Sequence, residues 1–241
     1  MSVDERMVHD IVQKVMANMQ ISGSVSGMHG VFKDMNDAIN ASIEAQKKVC
    51  TMTLDQREQI ISLIRKKTHE NAEILANMGV NETGMGNVGD KILKHHLTAD
   101  KVPGTEDIST IAWSGDRGLT LVEMGPFGVI GAITPATNPS ETVICNCIGM
   151  LAGGNTVVFN PHPNAKKTTI YTINMINEAS IEAGGPDNIA VTVEAPTLDT
   201  SAIMMKHPSI HLLVATGGPG VVTAVLSSGK RAIGAGAGNP P

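Results

Sequence analysis

The sequence predicts an α/β protein, a doubly wound parallel sheet preceded by a helical layer, and three observations carry that expectation. From Leu119 on, short runs rich in β-branched residues ("LTLVEM", "GVIGAI", "TVVFN", "IAVTV", "IHLLVA", "RAIGA") alternate with helical segments over about 140 to 152, 165 to 183, 197 to 206 and 220 to 228. The runs are largely apolar without strict alternation, which is how strands covered on both faces read. Upstream of Leu119 the apolar residues recur every three or four positions, the period of helices packed by one face.

Taken in order, residues 3 to 19 place Val8, Ile11, Val12, Val15, Met16 and Met19 on one stripe, with Asp10, Gln13, Lys14 and Asn18 opposite. An amphipathic helix over residues 1 to 20 is expected, followed over 21 to 30 by a Gly/Ser-rich stretch of linker composition. Such a helix either docks on a partner or packs back on its own domain. Helical periodicity returns over 33 to 48 and 54 to 78, breaks at "NETGMGNVGDK", resumes over 88 to 101 and ends at "VPGTED". The strand and helix alternation then begins. On such sheets ligands bind beyond the carboxyl ends of the strands, so the strand-to-helix turns are where chemistry is expected.

Composition narrows the function classes. The 241 residues are 41% apolar, enough for a real core, and the net charge of −5 with scattered lysines gives no footprint for nucleic acid. The longest apolar runs are far too short to cross a bilayer, and Asp4 and Glu5 stand where an export signal would be basic. Cys50, Cys145 and Cys147 form no Cys-x-x-Cys and no even disulfide set, so the chain reads as cytoplasmic and reduced. No metal site is expected: His95 and His96 are adjacent and cannot share one helix face, and His162 has no second histidine at ligand spacing.

Three turns are candidates for binding or catalysis, and none carries Gly-x-Gly-x-x-Gly. In "AITPATNPSET", containing Thr134 and Pro135, Asn138 immediately precedes a helix, where its amide either caps the helix or donates to a developing oxyanion. In "FNPHPNAKK", Asn160, Pro161 and His162 form an extended turn, and the helix that follows could offer free N–H groups to a phosphate or ribose. In "VATGGPGVV", Thr216, Gly217, Gly218 and Gly220 let the backbone pass close to a ligand, although a plain tight turn has the same composition. Cys145 and Cys147 lie in an apolar helix with no base or positive charge nearby in sequence, as small buried thiols do.

Read together, "PFGVIGAITPATNPSET", "LAGGNTVVFNPHPNAKK", "TGGPG" and "GAGAGNPP" resemble the aldehyde dehydrogenase superfamily, specifically its CoA-acylating branch, as do "NETGMGNVGDK", "VPGTEDI", "GDRGLTLVE" and "AGGPDNIAVTVEAPT". The resemblance implies a Rossmann-like cofactor domain over 31 to 233, part of an oligomerisation ribbon at about 117 to 125, and the start of a catalytic domain at 234 to 241. It implies that Asn138 helps form an oxyanion hole, that Thr134, Pro135, Thr216, Gly217, Gly218, Gly220 and Gly234 meet the cofactor, and that Asn160, Pro161 and His162 lie near its ribose. Hydrolytic relatives carry a Lys where this chain has Asn160.

Those relatives also carry a glutamate that activates water where Gly234 stands. Without that base a thiol such as coenzyme A can take the acyl group. The implied reaction oxidises a short-chain aldehyde, acetaldehyde or propionaldehyde, with NAD and CoA through a cysteine thioester. In this branch an N-terminal amphipathic peptide docks cargo on the shell of a bacterial microcompartment, which implies Val8, Ile11, Val12, Val15 and Met19 as shell anchors. The family's nucleophilic cysteine follows the "GNPP" segment, and none of the three cysteines present sits in a matching motif. The expectation is a cofactor-binding part, inactive alone and oligomeric when full length. The alternative is a non-catalytic module that binds nucleotide and docks on the shell.

Overall fold

The structure, a computed structural model, describes residues 27–236. The expected helix over 1 to 20 with its five shell anchors, most of the linker, and residues 237–241 lie outside the described residues. At the linker's end the chain is already fixed, contrary to its composition. The His29 N–H donates to Asn174 Oδ1 at 2.9 Å, and its ring Nδ1 lies 2.8 Å from Asp187 Oδ2. Gly30 follows at φ +78°, where a Cβ would come within 2.4 Å of the Ala190 carbonyl oxygen. Only glycine lets the chain enter there.

A helical layer comes first, behind the short strand β1 (Val31–Phe32): α1 (Met35–Val49), α2 (Leu54–Glu70), α3 (Ala72–Thr83) and α4 (Val88–Lys101). Each starts or stops on a recognisable cap. Asp34 accepts from the N–H groups of Asn36 and Asp37, Thr53 and Gln56 form a capping box, Gly84 ends α3 at φ +68°, and Asn87 accepts from Asp90 N–H. The single helix expected over 54 to 78 is two, divided at Asn71. There the side chain donates to the Lys67 carbonyl and accepts from the Tyr171 hydroxyl, which competes with continuation of the helix.

Next come β2 (Ile111–Gly115) and β3 (Gly118–Val122), an antiparallel ribbon in which every residue is exposed, Trp113 by 57% and Leu119 by 65%. The remainder alternates: β4 (Val129–Thr134), α5 (Pro139–Ala152), β5 (Thr156–Pro161), α6 (Lys166–Glu182), β6 (Ala190–Val193), α7 (Leu198–Lys206), β7 (Ile210–Thr216), α8 (Pro219–Leu226) and β8 (Arg231–Ala235).

The main sheet runs β1-β6-β5-β4-β7-β8, parallel throughout. One face buries Phe159, Ile173 and Ile176 with Ile60, Ile61, Ile64, Ile144 and Ile148 under α2, α5 and α6. The other packs Val158, Val191 and Leu213 against Met35, Ile39 and Met204 under α1 and α7. Each such fully buried side chain contributes about 1.5–3 kcal/mol. The chain lays down β4, β5 and β6 in one direction, then returns to place β7 and β8 on the other side of β4. Helix α5 therefore leaves β4 on one face, and α8 leaves β7 on the opposite face. Between those two strand ends lies the switch point where sheets of this kind bind ligands.

Candidate cofactor site

A cavity of about 740 Å³ opens at that switch point, within the range of small-molecule and cofactor pockets. It gathers all three candidate turns. Thr134, Pro135 and Asn138 come from the end of β4, Asn160, Pro161 and His162 from the end of β5, and Thr216, Gly217 and Gly218 from the end of β7. Gly220 and Gly234 are not in the wall. A Cβ on Gly234 would meet Val222 Cγ1 at 2.6 Å, so this position of β8 faces α8, while the next residues, Ala235 and Gly236, reach the cavity. Successive strand residues point to opposite sides, so a side chain at position 234 would face α8 and not the cavity.

Among the described residues the wall contains no Asp, Glu, Lys or Arg, and its histidine is His162. Asn164 N–H donates to His162 Nδ1 at 3.2 Å, so the neutral ring carries its proton on Nε2, a free donor. At the β7 end, Gly217 and Gly218 have nothing within 4 Å of where a Cβ would stand. The backbone there is open to close approach, and Gly218 begins α8 with no side-chain cap. The Thr134 hydroxyl is buried in the wall without a partner. A buried hydroxyl seldom stays unpaired, which sets this one apart from the other polar groups of the wall.

Two sequence expectations change. The helix after "FNPHP" is not a free phosphate site, because Glu82 of α3 already holds the start of α6: its carboxylate accepts from Lys167 N–H at 2.7 Å, Thr168 N–H at 2.8 Å and Thr168 Oγ1 at 2.7 Å. Asn160 spends its side chain inward, donating to Ser201 Oγ at 2.6 Å and the Thr197 carbonyl at 3.3 Å and accepting from Thr200 Oγ1 at 2.7 Å. It ties β5 to α7, with its amide donors spent there and its oxygen accepting one bond. At that end of the cavity, His162 keeps a free donor.

Asn138 does not act as a side-chain cap. It stands at the N-cap of α5 but makes no side-chain cap bond; its Oδ1 accepts from Lys94 Nζ of α4 at 3.2 Å. Behind it runs a seam the sequence reading missed. Lys91, only 4% exposed, donates to the Thr137 carbonyl at 3.0 Å and to Glu141 Oε1 at 3.2 Å. His95, fully buried, donates from Nδ1 to the Lys91 carbonyl at 2.7 Å and accepts at Nε2 from Ser140 Oγ, also at 2.7 Å. Burial, more than any neighbouring charge, pushes the His95 pKa down and keeps the ring neutral. None of the cysteines lines the cavity. Burial pushes the Cys147 thiol up to about 12 and also raises Cys145, so neither offers a thiolate.

Comparison with known proteins identifies the family. The profile of the aldehyde dehydrogenase family matches residues 17–235. The chain belongs to the aldehyde dehydrogenase family. This aldehyde dehydrogenase chain is 46% identical to an acetaldehyde dehydrogenase (acetylating) of Bilophila wadsworthia, over 98% of this chain and 51% of that protein. It is also 46% identical to a propanal dehydrogenase (CoA-propanoylating) of Salmonella typhimurium, over 88% of this chain and 46% of that one.

Among solved structures it is similar to a propionaldehyde dehydrogenase from the Clostridium phytofermentans fucose utilisation bacterial microcompartment, with 74% identity, a TM-score of 0.86, and coverage of 88% of this chain and 49% of that one. A Rhodopseudomonas palustris propionaldehyde dehydrogenase with bound propionyl-CoA is 50% identical, with a TM-score of 0.85 over 88% of this chain and 47% of that one. The chain spans about half the length of the relatives it matches. Among the described residues no helix is long and apolar enough to cross a membrane.

Proposed function

We propose that this chain is the cofactor-binding part of a CoA-acylating aldehyde dehydrogenase that converts acetaldehyde or propionaldehyde to acyl-CoA with NAD. The observation that carries the reading is the uncharged cavity at the switch point, into which the three motif turns converge. Bound there, NAD would supply the hydride acceptor and CoA the thiol that takes the acyl group. The open Gly217–Gly218 backbone, the unpaired Thr134 hydroxyl and the Nε2–H of His162 are the groups that would hold a dinucleotide. Asn138, with its carbonyl oxygen engaged by Lys94, turns its Nδ2 donor away from α4 to steady negative charge on the aldehyde oxygen. The reading also takes the full-length protein to be a homo-oligomer, with Val8, Ile11, Val12, Val15 and Met19 docking it in a microcompartment shell. Residues 1 to 20 fused to a fluorescent protein then form puncta in cells making shells; diffuse fluorescence rejects that part.

NADH formation by the full-length protein with propionaldehyde tests the activity. The expected result is turnover that requires CoA, and CoA-independent NADH would reject acyl transfer. A second reading is a nucleotide-binding and shell-docking module without turnover. It predicts NAD binding with no NADH under any aldehyde.

A further inference from the structure

We infer that Lys94 of α4 is a positioning residue for the proposed reaction, fixing which way the Asn138 amide faces. The inference rests on the proposed role of Asn138 and adds a residue to it. A lysine ammonium can only donate, so the Asn138 atom 3.2 Å from Lys94 Nζ is the carbonyl oxygen and not the amide nitrogen. The Nδ2 donors are thereby aimed away from α4. An unconstrained asparagine at this position would turn its oxygen to the first-turn N–H groups of α5, the usual N-cap bond; here that bond is absent. Lys94 thus keeps the side chain from spending its oxygen on the helix.

The backbone on either side is fixed from the same helix. Lys91 Nζ holds the Thr137 carbonyl, and His95 holds the Ser140 hydroxyl one residue into α5. Three contacts from α4, spaced three and one residues apart, therefore grip 137, 138 and 140. The charged pair Lys91 and Glu141 is almost wholly out of water, at 4% and 8% side-chain exposure, and a buried pair is poor evidence of stability but a good device for fixing register. Lys94 is exposed, so its bond contributes little to folding. What it contributes is orientation.

The test is a double-mutant cycle in the full-length protein, with Lys94→Met, Asn138→Ala and the pair, followed by NADH formation. Asn138→Ala is expected to lower kcat about a hundredfold. Lys94→Met is expected to lower kcat about tenfold with KM for NAD changed less than about twofold and the melting temperature unmoved, and the double variant to be no slower than Asn138→Ala alone. Lys94→Arg, which restores a donor, recovers most of the loss. An unchanged kcat in Asn138→Ala overturns the role of Asn138 itself. A large loss in Asn138→Ala with none in Lys94→Met, or losses that multiply in the double variant, overturns the role of Lys94 alone.

Discussion

The cavity wall and the α4–α5 seam behind it are opposite solutions to the placement of polar groups. The seam buries a lysine, a glutamate and a histidine, each with a partner. The wall carries no fixed charge and leaves a hydroxyl unpaired at Thr134 and a ring donor free at His162. A satisfied network rigidifies what it touches, and an unsatisfied group is a vacancy for something that arrives later. Substitutions in the seam should therefore cost folding, and those in the wall should cost binding.

The largest break in that contrast is Lys91→Met, which strands Glu141 in the interior. About 3–5 kcal/mol of stability is expected to go, read from the urea midpoint, and Lys91→Met with Glu141→Leu should regain most of it. Full stability in the single variant would show the seam to be dispensable.

Next in size is a pH effect. Burial holds His95 below its ordinary value near 6.5, so on acidification the unfolded chain takes up its proton before the native one does. Stability from this group is therefore present above about 6.5 and falls as pH drops below it, by up to about 1.4 kcal/mol per pH unit. His95→Asn should flatten that slope between pH 6.5 and 5; an unchanged slope would assign the acid sensitivity elsewhere.

The smallest effect on the fold is expected in the wall. Thr134→Val removes a hydroxyl that no described residue satisfies, so the melting temperature should stay or rise slightly, while NAD affinity falls about fivefold, the worth of one neutral hydrogen bond. A loss of stability with unchanged affinity in calorimetric titration would reverse the contrast.

The sheet was legible because parallel strands are written in local runs: "GVIGAI", "TVVFN" and "IHLLVA" each became a strand of the expected register of burial. β1 is too short to show a period, and β2, with Trp113, Ser114 and Gly115, has no core to imprint an apolar pattern on it. The turns of the site were legible for the same local reason, as Gly, Pro and Asn mark turns wherever they occur. Their chemistry was not. Glu82 reaches α6 across 86 residues and Lys94 reaches Asn138 across 44, and no spacing rule in the sequence pairs residues so far apart.

The uncharged wall has a kinetic consequence. A pocket that grips pyrophosphate with lysine or arginine holds its ligand by forces that salt weakens and that slow departure. On the proposed reading this cavity binds through hydrogen bonds and surface fit, since among the described residues its wall carries no Asp, Glu, Lys or Arg. Residence times should then be short and nearly indifferent to ionic strength. That suits a cleft from which one nucleotide must leave before another can enter.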